Sequence, residues 1–347
     1  MTGPQPASRP AVALRVPPCR PVDEVAEFAE RVESGGFDRL YLPDSQLLWR
    51  DPYLTLQKVA TTTSRLELGT AVTNLVTRHP TVVAGLVRTL AEAAPGRIHL
   101  GLGVGNSSVE PIGLTPSRQA EVREGVAQIR GLTDGDEVTV NGRPVRLRDP
   151  HPGVPVYLAA SGPRNLGLAG AIADGAILLS GVSRALVDRG VGLVHEGARA
   201  AGRDPAAVDI VVSAYAMVTD DVERDARILK PVLAGMAQHG GKQALQSVGI
   251  HAEVPTEVPE IYPDLVHAED WPLAVEVCSQ WITDEEAVRY AAEFCLFGSG
   301  EQIADRIRDV HAQGASTIYL QHVGSYDLPE QLAADVADEV LPRLGGE

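Results

Sequence analysis

"PVYLAASGPRNLGLAGAIADGAILLSG" (Pro155–Gly181) is one repeat of the architecture. Val154–Ala160 is an apolar, strand-like run that ends in small residues. Ser161 can cap the next element, and Pro163 falls near the first helical position, where its missing N–H costs nothing. Pro163–Ala173 then reads as a helix and Ala176–Ser180 as a second buried strand. A strand, a short helix and another apolar strand imply a right-handed crossover within a parallel sheet.

The same unit recurs outward in both directions. Upstream, strands are expected at Val12–Val16, Arg39–Leu42, Leu66–Val72 and Arg97–Gly103, with helices at Val22–Glu33, Pro52–Thr62, Thr81–Ala94 and about Ser117–Leu132. Downstream come the long helix Ser183–Ala201, a strand at Asp209–Val218, and later Glu301–Gln313, Thr317–Val323 and Leu328–Leu344. "DEVTVNGRPVRLR" interrupts the rhythm, and Asn141-Gly142 between alternating residues predicts a β-hairpin. Between Val222 and Phe297 the rhythm is lost: helical pieces (Val222–His239, Asp284–Phe294) flank the irregular stretch Val254–Asp270. Eight strand–helix units, with insertions after strands four and seven, predict a (β/α)8 TIM barrel. An open doubly wound sheet is the competing arrangement, but no G-x-G-x-x-G follows the first strand. A chain of 347 residues is accommodated as one barrel domain, 1–347, with a lid-like insertion at about 222–297.

Composition narrows the partners. A formal charge of −16 opposes binding to nucleic acid or to an anionic membrane. No apolar run approaches the length of a membrane span, and "MTGPQPASRP" lacks the pattern of a signal peptide. Cys19, Cys278 and Cys295 have no metal-site spacing and fit a reducing, cytoplasmic setting. Aromatic residues make up only 4%, so the core is expected to consist of Ala, Val, Leu and Ile.

In a TIM barrel the chemistry sits where the strands end. Here those ends read "PDSQLLW", "TAVTN", "GVGNSS", "AASGP", "SGVS" and "QHVGSYD", a ring of small and hydroxyl residues. "AASGPRN" offers free backbone N–H groups at a helix start, a natural anion site to which Arg164 can add charge; the plainer account is a capped turn. Gly101, Gly103 and Gly105 leave one face of strand four bare, for a ligand or for close backbone packing. Asp44 tips strand two as a polar group or a helix cap, and Trp49 is a pocket wall or a packing residue. The strand-three end "LGTAVTNLVTRHP" (68–80) forgoes bulk for Thr73, Asn74 and Thr77. G-x-S-x-G, H-E-x-x-H and P-loop motifs are absent and the nine histidines are scattered, only His79 and His322 falling near strand ends, so no metal cluster is expected. A ring without an evident nucleophile suits a cofactor that brings its own reactivity.

"GTAVTNLVTRHPTVVA", "GRIHLGLGVGNSS" and "PVYLAASGPRNLGLAGAIADGAILLSG" closely resemble the bacterial luciferase-like superfamily, in the branch of coenzyme F420-dependent oxidoreductases around methylenetetrahydromethanopterin reductase. The resemblance covers residues 11–220 and 295–325 in order. It implies a barrel that binds F420, or alternatively FMN, at its C-terminal mouth. It implies a bulge with a non-proline cis peptide at Ala71–Val72 beneath the ring, and Thr73 and Asn74 at the ring's polar edge. Gly105, Asn106 and Ser107, with Ala160, Ser161 and Gly162, would meet the ribityl and phosphate portion. Asp44 is the first candidate for polar contact with ring or substrate, and Trp49 for the pocket wall. Two positions depart from the pattern: Ser45 stands where related enzymes carry a histidine, and Asn106 where the sugar-phosphate dehydrogenase branch uses a glutamate. The implied activity is hydride transfer between deazaflavin C5 and a small organic substrate, in a homodimer by family analogy. The alternatives are an FMN-dependent monooxygenase fed by a separate reductase, or a non-catalytic flavin-binding partner subunit.

Overall fold

Eight parallel strands form the frame in the computed structural model, which describes residues 9–345. They are β1 (Ala11–Arg15), β2 (Arg39–Leu42), β3 (Glu67–Thr70), β4 (Ile98–Gly103), β5 (Val156–Ala160), β6 (Gly175–Leu178), β7 (Asp209–Val218) and β8 (Thr317–Gln321). Each pairs in parallel with the next, and β8 pairs with β1, so the sheet closes on itself. Helices α1 (Val22–Ser34), α2 (Pro52–Thr62), α3 (Pro80–Ala93), α4 (Gln119–Asp134), α5 (Pro163–Ile172) and α6 (Arg184–Ala200) pack outside, followed by Gly300–Ala312 and a C-terminal helix beginning at Glu330. The fold is a (β/α)8 barrel.

The main cluster between strands and helices is built of Ala, Val, Leu and Ile, with few aromatics. The barrel interior differs. Tyr41, Tyr157 and Tyr319 fill it, together with Ala13, Ile177 and Val211. A few large rings therefore plug a space that the scarcity of aromatics had not suggested.

At the N-terminal end of the barrel this plug is polar. Arg39 lies 2.6 Å from Glu67 and 3.3 Å from Asp209, and Tyr157 donates to Asp209 at 2.7 Å. Tyr41 shares a 3.1 Å hydrogen bond with His99, whose ring stacks on Tyr157. Burial, and then the Arg39 charge, push the His99 pKa down from 6.5 to about 3. The unfolded chain therefore takes up a proton below pH 6.5 that the folded protein refuses until far lower pH. Stability must fall on acidification, by about 2 kcal/mol from this residue between pH 6.5 and about pH 5. Thermal unfolding followed across that range should show the drop, and His99→Gln should reduce it.

The hairpin forms as expected, Glu137–Val140 against Arg143–Arg146, with Asn141 and Gly142 at φ 50° and 75°. It lies between α4 and β5, away from the barrel mouth. The segment between β7 and β8 contains more helix than expected. Val222–His239 is broken into Val222–Asp225, a 3-10 turn at Ala226–Leu229, and Lys230–Gln238, with Pro231 opening the last piece. Lys242–Ser247 and Trp271–Cys278 are further helices, the second capped by the Asp270 carboxylate accepting from the Leu273 N–H at 3.0 Å. Between these two, 254–270 has neither helix nor strand. Leu296–Gly298 then pairs with the end of β7. The segment carries its own apolar cluster, including Leu229, Leu233, Leu265, Tyr290 and Phe294, separate from that of the barrel. No helix among the described residues is long and apolar enough to cross a membrane.

Candidate active site

Strand three is where the barrel wall is specialised. Gly69 pairs with His99 and Thr73 with Leu102, so the chain gains one residue on β3 relative to β4. This is a bulge, and within it the Ala71–Val72 peptide is cis. The short strand Thr73–Asn74 resumes pairing beyond it. The hydroxyl-rich sequence is explained by what a bulge removes. The Thr70 hydroxyl donates to the Gly101 carbonyl at 2.8 Å and accepts the Gly101 N–H at 3.1 Å, replacing the ladder bonds lost there.

The next residues are bonded as tightly. Thr73 donates to Asp44 Oδ2 at 2.7 Å. Asn74 Oδ1 accepts from the amides of Val76 and Thr77, and its Nδ2 donates to Ser108 Oγ at 2.9 Å. Asp44 also receives Arg78 Nε at 2.6 Å and Nη2 at 3.1 Å, while Arg78 reaches Asp51 at 2.8 Å. Burial disfavours the Arg78 charge, but its bonds to Asp44 and Asp51 outweigh that and keep it firmly protonated. Asp51 in turn caps α2 through the amides of Tyr53 and Leu54. Asp44, Thr73 and Asn74 thus spend their strongest hydrogen bonds inside the protein. Sequence reading offered them as direct contacts to a ring or substrate; they brace the bulge and also line the cavity at the barrel mouth.

The glycines of β4 are also explained. A Cβ on Gly101 would sit on the carbonyl oxygen of Thr70, and one on Gly103 would lie 2.7 Å from Val72 Cγ2. Gly105 has φ +91° and would meet Val109. Close packing against backbone requires Gly101, packing against the Val72 and Val109 side chains accounts for Gly103 and Gly105, and the latter two also line the cavity at the barrel mouth.

A cavity of about 430 Å³ opens at the C-terminal ends of the strands. Asp44, Trp49, Ala71–Asn74, Gly105–Ser107, Ala160 and Ser161 all line it. Gly162 lines an adjoining cavity of about 310 Å³, which shares Asn106, Ser161, Leu179 and His239 with the first. Ser45, where a histidine was noted as missing, hydrogen-bonds Ser107 at 2.6 Å.

The smaller cavity meets the start of α5. Gly162, the residue before that helix, supplies no side-chain cap, and a Cβ there would meet nothing within 4 Å. The Ser180 hydroxyl on the same wall is buried without a hydrogen-bond partner. Arg164 points instead into an outer depression with Gln119 and Arg123; the cation on the cavity wall is Arg189. Open helix amides, an orphaned hydroxyl and a nearby guanidinium fit a phosphate.

The opposite wall comes from residues that sequence reading passed over. Arg15 ends β1, and Gln321 ends β8. Val266, His267 and Trp271 belong to the segment between β7 and β8. Trp49 donates to the Ser325 carbonyl at 2.6 Å and meets the His267 ring edge-on, with centroids 5.5 Å apart. His267 Nδ1 lies 2.9 Å from Asp264 Oδ2. Burial raises the pKa of the Asp264 carboxyl, but bonds from the His267 ring and the amides of Val266 and His267 outweigh it and keep it below the ordinary range. His267 lay in the stretch with no readable pattern; the D-x-x-H spacing was its only signal.

The chain matches the family model described as luciferase-like monooxygenase over residues 3–317. It is 31% identical over 240 residues to a 5,10-methylenetetrahydromethanopterin reductase of Methanolobus tindarius, covering 67% of this chain and 73% of the relative. It is 37% identical over 211 residues to an F420-dependent glucose-6-phosphate dehydrogenase of Beutenbergia cavernae, covering 54% of this chain and 62% of that protein. Among solved structures, the coenzyme F420-dependent tetrahydromethanopterin reductase of Methanopyrus kandleri superposes with a TM-score of 0.77 at 20% identity, over 97% of this chain and all of the other. The chain belongs to the luciferase-like monooxygenase family.

Proposed function

We propose that this chain is an F420-dependent oxidoreductase acting on a small organic substrate. The observation that carries this reading is the paired cavity: a deep slot over Ala71–Val72 that continues into a pocket suited to phosphate at the start of α5. The names of its relatives, a methylenetetrahydromethanopterin reductase and F420-dependent dehydrogenases, support the same cofactor. Bound there, F420 supplies a hydride donor or acceptor at C5 of its deazaflavin.

The protein's own part is placement. Ala71 and Val72 offer an apolar surface to a flat ring, held by Thr70, Thr73, Asp44 and Arg78. The uncapped amides at Gly162, the Ser180 hydroxyl and Arg189 hold the phosphate. Trp49, Trp271 and Val266 exclude water from the facing side, and the segment 222–297 acts as a lid that selects the substrate. His267, oriented by Asp264, is placed to hold a proton beside the substrate.

Titration of the purified protein with F420 and, separately, with reduced FMN tests the cofactor. Micromolar binding of F420, lost at least about tenfold in Arg189→Ala, is expected, since one charge-assisted hydrogen bond contributes that much. Binding of FMN alone would overturn the reading.

A further inference from the structure

Arg15 is a buried cation without a counter-ion. The residue is 7% exposed, yet its guanidinium makes a single hydrogen bond, 3.4 Å from the Gly324 carbonyl oxygen, and forms no salt bridge among the described residues. Its Cζ lies 5.2 Å from the centroid of the Trp49 ring. Asp44, the one carboxylate among the described residues lining the large cavity, is committed to Arg78 and Thr73, and Asp264 beyond it to His267. His322 on the neighbouring strand end brings no negative charge, and burial together with Arg15 keeps it neutral, with a pKa of about 3. A guanidinium removed from bulk water is costly unless an anion or strong acceptors meet its donors. Here the remaining donors border the large cavity, on the wall formed by β1 and β8.

We propose that Arg15 binds the substrate through an anionic group, and that the substrate is an organic carboxylate with an apolar body. This rests on the reading of the large cavity as the active site. Among the described residues Arg15 is the one Lys or Arg on that cavity's wall, and its fork matches the two oxygens of a carboxylate. Asp44 is already neutralised by Arg78, so a monoanion balances the site, whereas a phosphate dianion leaves charge uncompensated. Trp49, Tyr215, Val266 and Trp271 surround the space beside the guanidinium and accept an apolar or aromatic body.

Benzoate, benzamide and phenyl phosphate serve as probes, titrated into the protein with and without bound F420 and followed by calorimetry. Benzoate should bind the wild-type protein at least about tenfold more tightly than its neutral isostere benzamide, as expected for charge-assisted bonding. Arg15→Gln should remove that preference, Arg15→Lys should keep part of it, and the F420 affinity of both variants should stay within about twofold. Equal binding of benzoate and benzamide by the wild-type protein overturns the proposal even if no variant folds. Preference for phenyl phosphate overturns the carboxylate assignment, and loss of F420 affinity in Arg15→Gln assigns the residue to the cofactor instead. A benzoate preference that depends on Arg15 in a protein that takes up no F420 sinks the cofactor reading while leaving the anion site standing.

Discussion

Gly101→Val is expected to prevent the barrel from folding. The first atom of any side chain there would lie 2.0 Å from the Thr70 carbonyl oxygen, which is main chain and cannot yield as a flexible side chain would. The same residue exchanges two hydrogen bonds with the Thr70 hydroxyl, so movement of β4 away from β3 also breaks the repair of the bulge. Inserting bulk into a packed core costs about 1–3 kcal/mol where side chains can adjust. A collision with backbone belongs to the rarer class beyond about 4 kcal/mol, a large share of the stability of any domain. Loss of the soluble folded protein, or a collapse of the denaturation midpoint, is the expected outcome. Gly162→Ala makes the contrasting case. Its Cβ would enter open space at the mouth, so the fold should persist while phosphate binding suffers. A well-folded Gly101→Val would show that β3 and β4 are not pressed together at the bulge.

Asp44→Ala is the second large effect. Considered as a strand-tip acid alone, Asp44 invites a purely chemical role, and its removal should then spare the fold. The structure changes that expectation. The carboxylate is buried and receives Thr73 and two nitrogens of Arg78, whose side chain is only 18% exposed. Its removal leaves the guanidinium with Asp51 as its remaining carboxylate and loosens the hydroxyl that pins the residue after Val72. Breaking a pair from one side costs about 3–5 kcal/mol when both groups are buried; the part-exposed Arg78, which keeps Asp51, places this case below that range, because water and the second carboxylate offset some of the loss. Asp44→Ala should therefore lower both the melting temperature and F420 affinity. Asp44→Asn, which keeps an acceptor for Thr73, should be milder in both measurements. A variant that loses turnover with unchanged stability and cofactor affinity would return Asp44 to a direct role in the chemistry.

What could be read in the sequence was whatever local pattern controls. Short apolar runs before amphipathic helices led to all eight strands, and Asn141-Gly142 to the hairpin, because each depends on neighbours a few residues away. The small residues at strand ends marked the mouth for the same reason. What escaped was set by distant partners. Nothing near Asp44 announces Arg78, and the arginine in "TRHP" reads merely as the approach to α3. Gly101 suggested room for a ligand, but its reason is a carbonyl on another strand. His267 and Trp271 lie where no periodicity exists, and they reach the mouth only through the packing of their own cluster. Arg15 did leave a trace: a lone charge closing the strand Ala11–Arg15, on the face where a TIM barrel does its work.

The separate apolar cluster of the segment between β7 and β8 has a consequence for how this molecule can change. The bulged wall at Ala71–Val72 comes from strand three, whereas His267 and Trp271, together with Met236 and Ala244 on the far side of the pocket at α5, come from a unit with its own interior. Such a unit can be exchanged as a block, but grafting the corresponding stretch of another family member between β7 and β8 would rebuild both the substrate side and the far wall of the pocket at α5. Divergence along this route changes the two pockets together, while the closed barrel and its bulge stay as they are.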